Sequence, residues 1–277
     1  MTRIIAHRGL RDKYPENTIE AISKALSLPL HGVEFDVELT ADGVPVVLHQ
    51  ETLVPDSAFT RLELATRDYV SRDWVIERSL EEIRSLDAGS WMGQRFKNLR
   101  IPTMKEVLGL NWSSISAHVE LKDATYWRES RDINRPKLVV DAVLPSLRSF
   151  KGTINVISFN PEILRLISER APGVGKTLAL WTEWQFRIPE AIAEAIRCEA
   201  SAISLPDTVV LAEPDWVTAA HRSNIELHVY PVSPARGEPE FNDWTAESQS
   251  QKWKQLRDLK VDAILSDFAR ESVELLF

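Results

Sequence analysis

A single cysteine, Cys198, stands in a chain of 277 residues, which excludes an internal disulfide and any multi-cysteine zinc centre. It sits in the helix-like run IPEAIAEAIRCEA, where it reads as a small buried hydrophobe rather than a reactive thiol. Long apolar runs are missing too, since no stretch approaches the roughly 18–20 residues of a membrane span. The N-terminus has no basic segment ahead of an apolar core, and Arg3-Ile4-Ile5-Ala6 runs straight into the first motif. A cytoplasmic protein without membrane attachment is therefore expected. Positive charge is in short supply: 33 Lys and Arg face 41 Asp and Glu, a formal net charge of −8. Phosphate backbones select basic faces, so a nucleic-acid partner is not expected. A small anionic substrate stays open, because a bound metal ion and a few cations reverse the potential locally.

Against these absences, the chain is regular. Apolar strand-like runs fall at 3–9, 32–39, 116–122, 155–159, 176–181, 200–205, 226–232 and 261–267. Helix-like stretches lie between them at 17–26, 103–110, 137–150, 161–171, 189–199, 214–223 and 249–260, with a last one from 269 to the end. Several open with Pro in the first turn, where a missing N–H costs nothing. Strand–helix units in this number predict a single α/β domain over 1–277, a closed (β/α)8 TIM barrel rather than an open doubly wound sheet. One segment breaks the rhythm. Ala41-Asp42-Gly43 reads as a tight turn into a second extended run at 44–49, and 50–101 shows only a helix around 79–86. This segment is expected to be a small insertion after strand 2 on the barrel rim, acting as lid or binding wall.

Polar residues at the C-terminal ends of barrel strands face the active site. Those ends supply His7 and Arg8 on the first strand, Glu34 and Asp36 on the second, His49 after the hairpin, and Glu120 and Lys122 on the third. Residues two apart on a strand share a face, so Glu34 points with Asp36 and Glu120 with Lys122. Three converging carboxylates repel unless a cation neutralises them, and all-oxygen ligands suit one hard divalent cation, Mg2+ or Ca2+. His7 and His49 suit acid–base work near neutral pH. Arg8 and Lys122 bring the fixed positive charge that holds a phosphate. Together these residues describe phosphoryl chemistry. His31, His118, His221 and His228 read instead as ordinary structural histidines, His118 being the least clear because it shares a face with Glu120 and Lys122. The run GVGKT at 173–177 lacks the first glycine of a phosphate-binding loop and follows a helix, so it is set aside.

AHRG at 6–9, PENT at 15–18, GVEFDVELTADGVPVVLH at 32–49 and VELK at 119–122 resemble the glycerophosphodiester phosphodiesterase family. LDAGSW (86–91), IPTMKEVL (101–108), SFNPEILRL (158–166) and VDAILSD (261–267) continue the likeness in order over nearly the whole chain. The resemblance implies a (β/α)8 barrel with a small insertion after strand 2. It also implies Glu34, Asp36 and Glu120 as metal ligands, His7 and His49 as the acid–base pair, and Arg8 and Lys122 on the phosphate. Phe159, Trp181 and Tyr230 become the candidate substrate contacts. In this family a substrate hydroxyl next to the phosphoester is thought to attack phosphorus and expel the alcohol, and water then opens the cyclic phosphate. The partner implied is a small-molecule phosphodiester such as glycerophosphocholine, with homo-oligomerisation left open.

Two positions depart from the family pattern: Gln50 follows His49 where an Asp is usual, and strand 7 ends in Tyr230-Pro231-Val232-Ser233 rather than Trp-Thr-Val-Asn. The second change falls on the substrate pocket. With aromatic residues at or near rims, Trp74, Trp91, Trp127, Trp181, Trp184 and Trp244, it keeps a sugar phosphodiester of the agrocinopine type as an alternative substrate. A non-catalytic barrel that binds a phosphorylated ligand is the alternative from a different class.

Overall fold

The computed structural model describes residues 1–49, 52–53, 73–123, 135–233 and 243–276. Gln50, Trp127 and part of the expected rim insertion lie outside them. Eleven strands occur among the described residues: β1 Arg3–Ala6, β2 Gly32–Leu39, β3 Pro45–Val47, β4 Thr52–Leu53, β5 Asp73–Trp74, β6 Ser116–Leu121, β7 Ile154–Ser158, β8 Gly175–Ala179, β9 Ala202–Pro206, β10 Glu226–Tyr230 and β11 Ala263–Ser266. Eight are parallel and close a ring, β1-β2-β6-β7-β8-β9-β10-β11, in which β1 pairs with both β2 and β11. This is the closed (β/α)8 barrel that the repeat of strand and helix predicts.

Strand β2 shows how the ring divides its side chains. All eight of its residues are buried. Val33, Phe35 and Val37 join the core under the helices, while the intervening Glu34 and Asp36 take the opposite face, into the bore. Helices Arg135–Ser149 and Pro161–Arg170 cover the sheet with buried Val139, Val143, Ile163 and Ile167. Local signals start the helices where the sequence places them. Thr18 accepts from the Ala21 N–H ahead of helix Ile19–Ala25, Asn160 caps Pro161–Arg170, and Ser79–Glu82 and Thr103–Glu106 form capping boxes. The helix Asp207–Ala212 is an addition to the expected list. Among the described residues no helix is long and apolar enough to cross a membrane.

Departures from the sequence expectation cluster at strand ends and in the rim segment. β1 stops at Ala6, because Arg8 (φ 57°) and Gly9 (φ 79°) turn into the left-handed region. His7 and Arg8 therefore sit in the turn just beyond the strand. β3 pairs antiparallel with β2, as the hairpin reading requires. Within 50–101, where only a helix was expected, β4 and β5 make a two-residue antiparallel pair. A separate small core of Val46, Leu48, Val75, Ile83, Ala88 and Ile101 holds the described part of that segment against the hairpin.

The turn after β1 is pinned from below. A Cβ on Gly9 would stand 2.7 Å from the Ala21 carbonyl carbon, and the Leu10 N–H donates to the Ala21 carbonyl at 3.0 Å. Gly9→Ala is expected to cost about 1–3 kcal/mol, since both the positive φ and the close approach oppose a side chain. Urea denaturation checks this; an unchanged midpoint and slope would contradict it.

Candidate active site

Register alone brings the acidic residues together. In the β2–β6 pairing Asp36 lies opposite Glu120, with Glu34 one pleat below. Carboxylate oxygens of Glu34, Asp36 and Glu120 all lie within 4.8 Å of one another. Glu34 and Asp36 are each only 1% exposed. Glu34 Oε2 accepts from the Arg8 N–H at 2.9 Å, whereas Oε1 is buried without a hydrogen-bond partner. A buried lone pair aimed into an all-oxygen cluster is what a hard divalent cation satisfies, so these residues fit one. Burial, reinforced by Asp36 and Glu120, pushes the Glu34 carboxyl well above its ordinary range. Burial also raises Glu120. Burial opposes the charge of Asp36 as well, but Lys122, Arg8 and His49 together hold it well below the ordinary value.

Two cations meet this cluster. Lys122 Nζ lies 2.9 Å from Asp36 Oδ1 and also pairs with Glu120. Arg8 spans Glu16 at 2.8 Å and Asp36 at 3.2 Å. Burial disfavours both charges, yet the facing carboxylates keep both groups above their ordinary values. Asn17, the third residue of the PENT motif, brackets Asp36. Its amide donates to Asp36 Oδ2 at 2.8 Å, and its side-chain oxygen accepts from the Asp36 N–H at 3.2 Å. The residue stands at φ 58°, a conformation Asn tolerates better than most side chains.

The two histidines follow strands that share one edge of β2, the edge opposite β6, along which β1 and β3 pair in turn. The Leu48 N–H donates to the Asp36 carbonyl at 3.1 Å, which sets His49 beside the acidic cluster. His7 extends β1 next to β11, where its Nδ1 lies 2.6 Å from Asp267 Oδ1. Asp267 is buried and also takes hydrogen bonds from Arg11 at 2.9 Å, Trp244 Nε1 at 3.0 Å and the Ser233 hydroxyl. Burial works against its charge, but Arg11, His7 and Ser233 hold the carboxyl far below the ordinary carboxylate range. An ionised carboxylate only accepts, so the proton of neutral His7 resides on Nδ1 and Nε2 is left for chemistry. Burial and the Arg8 guanidinium lower both His7 and His49 from 6.5.

Phe159, Trp181 and Tyr230 follow or end β7, β8 and β10 and form one aromatic wall. Phe159 and Trp181 stack with centroids 3.9 Å apart, and Tyr230 meets Phe159 edge-on at 6.1 Å. The Tyr230 hydroxyl donates to the Leu180 carbonyl at 2.8 Å, tying β10 to the end of β8. The structure thus brings all of the sequence candidates to the C-terminal mouth of the barrel. The remaining histidines sit elsewhere. His118 lies lower in the bore, bonded to Ser116 at 2.9 Å, and burial beside His228 pushes it down to about 3. His31 accepts from the Ile4 N–H, His221 pairs with Asp262 and His228 with Glu226. Among the rim tryptophans, Trp184 packs on the core and Trp91 donates to the Ala88 carbonyl, while Trp244 enters the site through Asp267.

Asp267, Arg11, Glu16 and Asn17 are site residues that reading the strand ends did not single out. Asp267 was within reach, because it follows the eighth strand and the strand-end rule applies there too. Arg11 gave no signal, since only the closed ring places it between Asp267 and Glu16, at 2.9 and 2.7 Å.

A sequence profile of the glycerophosphoryl diester phosphodiesterase family matches residues 7–271. The chain belongs to that family. It is a phosphoric diester hydrolase by that membership. A glycerophosphodiester phosphodiesterase from Caldanaerobacter subterraneus subsp. tengcongensis is 30% identical over 232 residues, covering 83% of this chain and 86% of the relative. One from Bacillus altitudinis is 27% identical and covers 99% and 98%. The barrel resembles that of a phosphodiesterase from Oleispira antarctica, whose structure holds the product sn-glycerol-3-phosphate, with TM-score 0.75, 20% identity and coverage of 100% and 97%. A crystal structure from Silicibacter pomeroyi gives TM-score 0.78 at 22% identity, covering 100% and 93%.

Asp267→Asn removes the carboxylate charge that raises the His7 pKa, leaving burial and two arginines to lower it. The limb of the kcat/KM profile that reports His7 is expected to move to lower pH, with reduced activity at the plateau. An unshifted profile at full activity would separate Asp267 from His7.

Proposed function

We propose that the protein hydrolyses small glycerophosphodiesters to glycerol phosphate and an alcohol. The observation that supports this most is one pocket holding three carboxylates within 4.8 Å, two cations beside them and both His7 and His49 at the same strand ends. The glycerol phosphate product bound by the Oleispira antarctica relative is consistent with the same substrate class. Arg8 and Lys122 hold the non-bridging phosphate oxygens. Glu34, Asp36 and Glu120 would hold a divalent cation, Mg2+ or Ca2+, which supplies Lewis-acid charge at a phosphoryl oxygen.

The histidines move the protons. One removes the proton of the substrate hydroxyl next to the phosphoester, and that oxygen bonds to phosphorus. The bond from phosphorus to the leaving alcohol breaks as the other histidine protonates the alcohol oxygen. Water opens the resulting cyclic phosphate in the second step, with the histidines exchanging roles. Asp267 holds the Nδ1 proton of His7, so Nε2 is the atom through which His7 gives and takes protons. Imidazolium formed at His7 in either step faces the Asp267 carboxylate, which favours the charge. His7→Ala and His49→Ala are each expected to lower kcat by roughly 10²–10⁴-fold with the circular dichroism spectrum unchanged. Near-normal turnover by either variant removes that histidine from the mechanism. Excess chelator is expected to silence the enzyme and Mg2+ or Ca2+ to restore it; full activity in chelator overturns the metal assignment.

The aromatic wall favours a second substrate. Stacked Phe159 and Trp181, with Tyr230 edge-on, offer flat apolar faces that suit a sugar ring. A sugar phosphodiester would be cleaved by the same groups to a sugar phosphate. Turnover of glycerophosphocholine and glycerophosphoethanolamine supports the first substrate class. If both are inert while a sugar phosphodiester is cleaved, the second is correct.

A further inference from the structure

Lined by none of the residues of the catalytic cluster, a groove of about 370 Å³ opens between the loop after β1, helix Ile19–Ala25 and the short helical turn Gln94–Phe96. That volume falls within the range of small-molecule sites, roughly 300–1,000 Å³. Lys13, Lys24, Arg95 and Arg270 line it together with Tyr14 and Phe96, and no carboxylate is among its lining residues. In a chain with net charge −8, four cations around one concavity run against the composition. Lys13 is compensated, by Asp12 at 2.9 Å and Glu271 at 3.4 Å. Lys24, Arg95 and Arg270 have no carboxylate partner among the described residues, and all three are exposed. The floor is preorganised. Tyr14 and Phe96 pack edge to face at 5.8 Å, and the Arg95 guanidinium lies over the Phe96 ring at 4.5 Å. Arg95 Nη2 also donates to the Lys13 carbonyl at 3.5 Å, so the guanidinium is held in place while its other N–H groups remain for an oxyanion.

We propose that this groove is a second ligand site, separate from the catalytic pocket, for a small phosphorylated anion bearing at least two negative charges. The three uncompensated cations set the charge of the ligand, and guanidinium forks favour the several oxygens of a phosphate group. Tyr14 and Phe96 give an organic portion of such a ligand an apolar surface. None of the lining residues belongs to the catalytic cluster, so the two sites can be separated by mutation.

Calorimetric titration of the full chain with inorganic pyrophosphate, in excess EDTA and low salt, tests the site. Saturable binding is expected. In the Arg95→Gln/Arg270→Gln double variant affinity should fall by roughly ten- to hundred-fold, with phosphodiester turnover in added divalent cation unchanged. Lys122→Ala, which alters the catalytic pocket, should leave the binding intact. Equal binding by the double variant, loss in Lys122→Ala alone, or no binding by the unaltered chain would overturn the proposal. So would sedimentation with anionic phosphatidylglycerol vesicles in the absence of pyrophosphate binding, which would make the groove a membrane-surface contact instead.

Discussion

Three carboxylates buried within 4.8 Å of one another are the constraint on which the rest of this site depends. Water would screen such a cluster, but Glu34 and Asp36 are almost wholly removed from it. Every neighbouring feature answers the resulting charge. Lys122 and Arg8 face Asp36 directly, Asn17 donates to it, and the Arg8 N–H donates to Glu34. These groups settle Asp36 as a carboxylate, while Glu34 and Glu120 are pushed towards their protonated forms. The pocket is therefore poised for one more positive charge. A hard divalent cation would supply it without a covalent change in the protein.

The loop after β1 carries much of this balance. From Arg8 to Thr18 it holds two left-handed residues before proline and a third at Asn17, and it rests on helix Ile19–Ala25. Its inner side presents Arg8, Arg11, Glu16 and Asn17 to the buried carboxylates. Glu16 bridges the two arginines, and Arg11 passes the connection to Asp267 and so to His7. His7 thus has a carboxylate fixing its tautomer through the closure of β1 on β11. The loop's other side faces the basic groove through Leu10, Lys13 and Tyr14.

The barrel was legible because parallel strands covered on both sides leave short apolar runs at regular intervals, separated by helices that open with visible caps. Strand 2 was legible for a second reason: alternation of Val33, Phe35 and Val37 with Glu34 and Asp36 places carboxylates on the face that a closed ring turns inward. Glu120, Lys122, His7, Arg8 and His49 followed from the rule that strand ends carry chemistry. What the sequence does not show depends on ring closure or on loop geometry. Arg11 meets Asp267 across 256 positions, a proximity that no spacing encodes. The two-residue pairing of β4 with β5 is too short to leave an alternating pattern. Helix Asp207–Ala212 follows directly on β9, and its six residues are too few for a full amphipathic period to stand out.

A carboxyl whose folded pKa is raised holds its proton more tightly than the unfolded chain does, so it lowers stability as pH rises above its unfolded value. Glu34 is in that position, and replacing it with Gln removes the repulsion while keeping the shape. Thermal melting at neutral pH of the unaltered chain and of Glu34→Gln, each in chelator and in saturating Mg2+ or Ca2+, therefore tests the charge balance most directly. The expected result is that the divalent ion raises the Tm of the unaltered chain, by about 2.7 kcal/mol of stabilisation at a hundredfold excess over Kd. Glu34→Gln should melt at or above the unaltered chain in chelator and respond little to the ion. A Tm indifferent to divalent ions in the unaltered chain, together with a destabilised Glu34→Gln in chelator, would contradict the account.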